Sequence, residues 1–158
     1  VKEPGMDLCN TSVPQTHTLS ERIAREVFDV LPERGPIVVI LDREGERWIS
    51  HPEEFAALGV DEYVLKDLRA KVDDGAEPVI TQVGQTSVTV AQLATDQTDC
   101  GYVAVVLPRC APESTLTHID LVEALLSQVS LIARLVEKTA SLTRGQMNHY
   151  SGLAFSLN

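Results

Sequence analysis

Residues 117–142, THIDLVEALLSQVSLIARLVEKTASL, form the longest run of helical apolar spacing in the chain. Their apolar residues recur at intervals of three and four, which places them along one broad side of a helix. The apolar stripe is too wide for a single seam against a sheet. We therefore predict a long helix that packs on its own domain with one side and on a partner helix with the other. The predicted dimer and relay residues are Val122, Leu125, Val129, Ile132 and Val136.

Composition and charge exclude several classes of protein. A chain of 158 residues fits one domain with a sizeable core. The formal net charge of -10 disfavours nucleic acid as a direct partner, because phosphate binding depends on Lys and Arg. The sequence has no apolar run near the roughly 20 residues that cross a bilayer, and no signal peptide is evident at its start. We expect no membrane partner and a cytoplasmic location.

The order of predicted elements indicates an α+β fold. Short apolar strands joined by tight turns favour an antiparallel sheet, here of five or six strands. We expect the first and last helices to pack together on one face, and the helical insertion to cover the other. The predicted order is helix 18–31, strands 37–41 and 46–50, helices 52–58 and 61–75, strands 79–83, 87–93 and 101–107, and the long helix.

The same pattern divides the chain into three parts. Residues 1–16 mix Pro, Gly and Asn without periodicity and are predicted to be a flexible lead-in. Residues 17–142 form the predicted domain. Residues 143–158 are predicted to be a linker helix or tail that leads toward an output domain absent from this sequence.

Four segments together resemble the GAF-domain family. The first is PIVVILDREG at residues 36–45, similar to that family's first strand and turn. Residues 64–80 resemble a helix followed by a "Gly-x-Pro-Val" start of the next strand, with one extra residue in Gly75-Ala-Glu-Pro78. Residues 101–107 and 119–133 resemble the last strand and the final helix. The resemblance rests on the order and spacing of these pieces over residues 18–142.

The resemblance implies a sensory or regulatory domain of a bacterial signal-transduction protein, such as a two-component system. Such domains commonly form homodimers through terminal helices and precede a kinase, a cyclic-di-nucleotide enzyme or a transcription regulator in the same chain. Members of the family bind cyclic nucleotides, haem, bilins or metabolites, so the cofactor stays unknown. We expect a small-molecule effector or a partner to shift the packing of the long helix, which relays the change.

Candidate ligand-binding residues follow from position alone. A few polar groups in an apolar wall between the sheet and the helical insertion would orient a small molecule. The residues predicted to line this cavity are Trp48, His51, Tyr63, Gln82 and Thr89. The four histidines have no metal-ligand spacing, so no metal site is predicted.

Two alternatives come from other functional classes. One branch of proteins with this resemblance reduces free methionine sulfoxide with cysteines, and this chain has Cys9, Cys100 and Cys110. However, Cys100 and Cys110 flank a strand and would lie roughly 25 Å apart, beyond the about 7 Å limit for a disulfide. We therefore expect no enzymatic activity and no catalytic residue. The second alternative is a purely structural dimerisation module without a ligand.

Overall fold

The computed structural model describes residues 15–95, 98–109 and 115–157. Cys9, Cys110 and most of the predicted lead-in lie outside these ranges. The elements, numbered in chain order, are α1 (Gln15–Asp29), β1 (Ile37–Leu41), β2 (Arg47–Ile49), α2 (Pro52–Leu58), α3 (Glu62–Gly75), β3 (Val79–Val83), β4 (Thr86–Ala94), β5 (Asp99–Leu107) and α4 (Thr115–Leu157).

The five strands form one open sheet in the order β2-β1-β5-β4-β3. All four neighbouring pairs are antiparallel. β1 and β5 lie inside the sheet and are apolar on both faces, as expected for strands covered from both sides. The predicted α+β class with a central antiparallel sheet is confirmed, with five strands in the described part of the chain.

The terminal helices cover one face of the sheet, which we call the terminal-helix face. Ile23 and Val27 of α1 and Val129 and Ala133 of α4 pack there in one apolar cluster. The sheet contributes alternate residues, since side chains one position apart point to opposite faces. These sheet residues are Val38, Ile40, Ala91, Leu93, Cys100 and Val103.

The helical insertion, α2 and α3, covers the opposite face, which we call the insertion face. Its inner side chains are buried against β1, β4 and β5 and comprise Phe55, Leu65, Leu68 and Val72. α2 begins with Pro52 and ends at Gly59, whose φ of 68° is a left-handed conformation that glycine adopts without cost. α3 begins at Asp61, whose side chain accepts a hydrogen bond from the backbone N–H of Tyr63.

The last helix is longer than the sequence pattern indicates. The sequence pattern predicts a helix that ends near Leu142 and a separate linker helix or tail over residues 143–158, whereas the backbone is one helix from Thr115 to Leu157 over 43 residues. Each of its two interior glycines, Gly145 and Gly152, costs only about 1 kcal/mol, which a long helix tolerates. At about 1.5 Å per residue α4 is about 65 Å long. Its final third therefore extends well beyond the last of its core residues, Val136.

Candidate functional site

A polar cluster lies on the insertion face where β1, β5 and α3 meet. Its centre is Tyr102 of β5, which is 2% exposed. The Tyr102 hydroxyl donates to the carboxylate of Asp73 on α3, with both oxygens 2.7 Å away. Arg43, in the turn that follows β1, donates from Nη1 to the same hydroxyl at 2.6 Å. Three separate elements are thus joined at one phenol oxygen.

Arg43 holds the cluster to the start of β5. Its Nε and Nη2 both donate to one oxygen of Asp99, at 3.0 and 2.7 Å. Its Nη1 also lies 3.6 Å from the Asp73 carboxylate. The hydrogen bonds that Arg43 donates to Asp99 raise the pKa of Arg43, so the guanidinium is charged at every accessible pH. Because these charged groups are partly exposed, their ion pairs fix the positions of the side chains but add little to the free energy of unfolding.

A second guanidinium lies against the same aromatic ring. The Cζ atoms of Arg43 and Arg69 are 4.8 and 5.1 Å from the centre of the Tyr102 ring, within the range of a cation–π contact. The Nε of Arg69 is buried and has no hydrogen-bond partner among the described residues. Burial, followed by the hydrogen bond to Asp73, raises the pKa of Tyr102, and the phenol therefore stays a neutral donor well above neutral pH.

The turn between β1 and β2 places Arg43 at this position. Asp42 is fully buried, and its Oδ1 accepts from the backbone N–H groups of Glu44 and Glu46 at 3.0 and 2.8 Å. Gly101 lets β5 pass close to this turn, because a Cβ there would lie 2.1 Å from the carbonyl oxygen of Leu41. The local sequence Asp-Arg-Glu-Gly therefore closes the turn and directs Arg43 toward β5.

A second polar cluster lies on the terminal-helix face. Glu137 of α4 is only 8% exposed, and its Oε2 accepts from the hydroxyls of Thr95 and Thr98 at 2.5 and 2.7 Å. These two threonines flank the turn between β4 and β5. Ser20 of α1, also buried, donates to the carbonyl oxygen of Cys100 at 3.1 Å. Both terminal helices are thus hydrogen-bonded to the same end of the sheet.

The thiol of Cys100 is a poor nucleophile in this environment. It is fully buried in the cluster under the terminal helices. Burial, with smaller contributions from the charges of Glu137 and Asp99, raises the pKa of Cys100 to about 12. Since the thiolate is the reactive form, the group is protonated and inert at neutral pH.

Three of the five predicted ligand-binding residues point away from the insertion. Trp48 pairs with Ile40 and packs against the cluster under the terminal helices. Thr89 pairs with Val105, which packs on α4, so its buried hydroxyl also lies on the terminal-helix face. Gln82 of edge strand β3 is exposed on this same face, because it pairs with Ser87, which lies two positions from Thr89 on β4. The expected wall between sheet and insertion does not include these three side chains because of strand register.

The other two predicted residues lie at the insertion but apart. Tyr63 on α3 is 73% exposed. His51 immediately precedes α2, and its Nδ1 lies 2.7 Å from the Ser50 hydroxyl. The Pro32 carbonyl can only accept, so Nε2–H donates to it at 3.1 Å. In that neutral tautomer Nδ1 accepts from the Ser50 hydroxyl, which itself accepts from the N–H of Val38. His51 thus fastens α2 to the loop before β1. The prediction that these five residues bind a ligand stays a prediction.

The predicted dimer and relay residues on α4 face the sheet. Val122, Leu125, Val129 and Val136 are buried within the protomer, and Ile132 is partly buried beside them. These side chains are covered within the protomer, and the prediction that they form a dimer and relay surface stays a prediction. A different stripe is exposed at intervals of three and four, and we call it the outer seam. It consists of Leu121, Ala124, Gln128, Leu131, Leu135, Lys138 and Leu142.

Sequence reasoning missed the cluster around Tyr102 and the carboxylate of Glu137. The cluster joins residues 29, 56 and 59 positions apart in the chain, which no local pattern connects. One signal was available: Tyr102 is the only aromatic residue in the apolar strand β5, and a buried phenol needs a hydrogen-bond partner. Glu137 offered a similar signal, because it is an acidic residue directly after the apolar Val136 in α4.

The described residues contain neither a metal-binding cluster nor a membrane-spanning helix. No group of three or more His, Cys, Asp and Glu side chains there is arranged to hold a metal ion. Within the same ranges, no helix combines the length and apolar character that crossing a bilayer requires.

The comparison with solved structures supports the fold. A chain of the E. coli DhaR(N)–DhaL complex superposes with a TM-score of 0.51 and 13% sequence identity. The match covers 97% of this chain and 58% of that chain, so this chain spans less than two thirds of its neighbour's length. At this identity the likeness shows a shared α+β, GAF-like fold and nothing about activity. No protein-family model matches the sequence, and no curated protein does so.

Proposed function

We propose that this protein is a sensory or regulatory domain of a bacterial signalling protein, with α4 as its output element. The observation that carries this proposal is that α4 has two different apolar faces. One face is buried against the sheet through Val122, Val129 and Val136. The other remains exposed over the same length, so that one rigid helix contacts the sensing domain and offers a second surface at once.

The second surface has the spacing of a coiled coil. The outer seam repeats every 3.5 residues on average, which keeps it on one side of two supercoiled helices. Leu131, Leu135 and Leu142 are 60%, 62% and 56% exposed, unusually high for leucines in register. We propose that a second copy of this chain covers them, which forms a homodimer with paired α4 helices. An output domain joined after α4 would then receive changes in that pairing.

Light scattering coupled to size-exclusion chromatography tests the dimer. The natural chain is expected to elute as a dimer at micromolar concentration, and Leu135→Asp as a monomer, because the charge would be buried in the seam. Glu123→Ala on the same helix lies outside the seam and is the matched control, expected to remain dimeric. A natural chain that stays monomeric at high concentration would contradict the proposal.

The proposed sensing region is the insertion face around α3. Its cluster at Tyr102 combines two guanidinium groups, a phenol and two carboxylates between α3 and the sheet. A small molecule or partner that displaced one of these groups would change the contacts of α3 with the sheet. The chain purified from cells should retain such a molecule, which native mass spectrometry would detect as added mass. Its removal should lower the melting temperature by mass action.

A structural dimerisation module is the second candidate. It is favoured by the complete burial of Leu65, Leu68 and Val72 between α3 and the sheet. This candidate predicts the same dimer, but no retained molecule and no ligand-dependent change in melting temperature. A cysteine-dependent reductase gains no support from Cys100, whose thiol is buried and protonated. Replacing Cys100 and Cys110 would abolish turnover only in the reductase.

A further inference from the structure

The two polar clusters meet at adjacent residues. Asp99 binds Arg43 on the insertion face, while the preceding Thr98 donates to Glu137 on the terminal-helix face. From α3 to α4 the contacts therefore run through Asp73, Tyr102 and Arg43, then through Asp99 and Thr98, to Glu137. Most of the other buried side chains of the described sheet are apolar and alternate between the two faces.

We propose that the Thr98–Asp99 peptide is the link by which the insertion helix α3 acts on α4. The link rests on the proposed function in one respect, namely that α4 is the output element. A change in the contact between Asp73 and Tyr102 would release or pull Arg43, and Arg43 holds Asp99. Because Asp99 and Thr98 share a peptide bond, that movement reaches the hydroxyl bound by Glu137.

The local backbone suits this role because it is tightly connected at both ends. The N–H of Thr98 donates to the Thr95 hydroxyl at 3.0 Å, and the N–H of Thr95 donates to the Thr98 carbonyl at 2.8 Å. On the other side, Asp99 Oδ1 accepts from the N–H of Gly101 at 3.1 Å. A segment held in this way moves as a unit, so its two side chains are displaced together and do not reorient independently.

The α4 end of the link is the less solvated end. The Asp99 side chain is 56% exposed, whereas Glu137 is 8% exposed and accepts two hydroxyl donors. A buried charge that loses a donor is strongly destabilised, whereas an exposed pair is readily replaced by water. Small displacements of Thr98 should therefore have a large effect on α4. A change at the exposed Asp99 end should alter α4 only if it displaces Thr98.

A double-mutant cycle on the full chain tests the link. Tyr102→Phe removes the hydroxyl at the insertion end and keeps the ring, and Thr98→Val removes one of the two hydroxyl donors to Glu137 with little change in shape. Amide hydrogen exchange is measured in α4 around Glu137, relative to α1, which packs in the same layer. We expect Tyr102→Phe to reduce the relative protection of α4 at least three-fold, and to have less than half that effect when Thr98→Val is already present.

Matched variants separate transmission from general destabilisation. Asp67→Asn lies on the same helix as Asp73 but pairs only with Lys71 in the described contacts, and it should leave the relative protection of α4 within 1.5-fold. If Tyr102→Phe proves too destabilising, Asp73→Asn removes the acceptor instead. Trp48, the sole tryptophan, packs in the layer of the terminal helices and gives a second readout through its emission.

The outcomes distinguish the link from the proposed function. Independent effects of Tyr102→Phe and Thr98→Val, or an equal effect of Asp67→Asn, would overturn the link and leave a dimeric output helix intact. A non-additive cycle in a chain that is monomeric and retains no molecule would support the link and overturn the proposed function.

Discussion

Gly101 occupies a position in β5 where any side chain would collide with the backbone of the preceding turn. Its φ is +114°, and a Cβ would lie 2.1 Å from the Leu41 oxygen and 2.8 Å from the Asp42 Cα. Both contacts are with backbone, which cannot move aside without breaking the turn that places Arg43. Gly101 is thus the residue on which the geometry of the Tyr102 cluster depends.

Gly101→Ala should lower the free energy of unfolding by about 3 kcal/mol or more, because it combines an unfavourable φ with a steric clash. Gly84→Ala is the matched control. Its φ of +63° is also left-handed, but a Cβ there meets nothing within 4 Å, so the expected loss is only about 1 kcal/mol. Urea denaturation measures both values. Equal losses in the two variants would show that the close approach of β5 to the turn is not required.

The phenol of Tyr102 makes the free energy of unfolding depend on pH in the alkaline range. Burial raises its pKa above the ordinary value of 10.0, so the folded state holds the phenol proton more tightly than the unfolded state. The resulting stabilisation is complete below pH 10 and is lost as pH rises through the folded-state pKa.

Tyr102→Phe is expected to lose about 1 to 3 kcal/mol at pH 8, through the bonds to Asp73 and Arg43. The gap between the natural chain and the variant should then narrow above pH 10, because only the natural chain contains this titrating group. Denaturation curves at pH 8, 9, 10 and 11 provide the comparison. A gap that stays constant over this range would contradict the assigned environment of the phenol.

At the scale of the element, the two faces of α4 have different energetic roles. Val129 is 1% exposed in the core, whereas Leu131, two positions along, belongs to the outer seam. Val129→Ala should lower the free energy of unfolding by roughly 2 kcal/mol, through lost burial and the cavity left behind, without weakening dimerisation. Leu131→Ala should cost the isolated protomer less than about 0.5 kcal/mol and weaken dimerisation instead.

Denaturation and dilution experiments on the same two variants separate these effects. Fluorescence of Trp48 follows unfolding, and light scattering over a dilution series follows dissociation. If Leu131→Ala destabilised the monomer as strongly as Val129→Ala, the outer seam would be part of the protomer's own core.

The elements of the fold could be predicted from the sequence because each has its own local period. β1, α2 and β3 have the predicted bounds, and the order of helices and strands is as expected. The choice of face was harder. Trp48 faces the terminal helices because it pairs with Ile40, and this register depends on the turn at Asp42, where one residue more would reverse it.

The width of the apolar stripe on α4 indicated two contact surfaces but did not identify which residues form each one. Residues with 3.5 and 3.6 periodicity overlap over a few turns, so the buried residue Val129 and the outer-seam residue Leu131 belong to one apolar pattern. The Tyr102 cluster could not be predicted, because its hydrogen bonds depend on the packing of α3 against two strands that are distant in sequence.

At the scale of the whole molecule, the sheet separates a layer with a polar centre from a layer that ends in a long helix. α4 supplies much of the cover of β4 and β5, and its core contacts extend from Val122 to Val136. Among the residues of α4 whose side chains the structure describes, no buried core residue lies beyond Val136 except Glu137. The folded unit and the extended rod should therefore be separable.

A chain ended after Leu142 should unfold at the same urea concentration as residues 1–158, within error, when both are measured as monomers carrying Leu135→Asp.

A chain ended after Arg109 lacks α4, and this truncation exposes Val103, Val105 and Leu107, which are buried on the sheet. The lost burial of several such side chains, at about 1.5 to 3 kcal/mol each, exceeds a typical net stability of 5 to 15 kcal/mol when the contacts of α1 are lost as well. That shorter chain should be insoluble or show no cooperative transition. Cooperative unfolding of the shorter chain would mean that α4 docks onto an independently stable domain, and it would then be a mobile attachment in place of a structural layer.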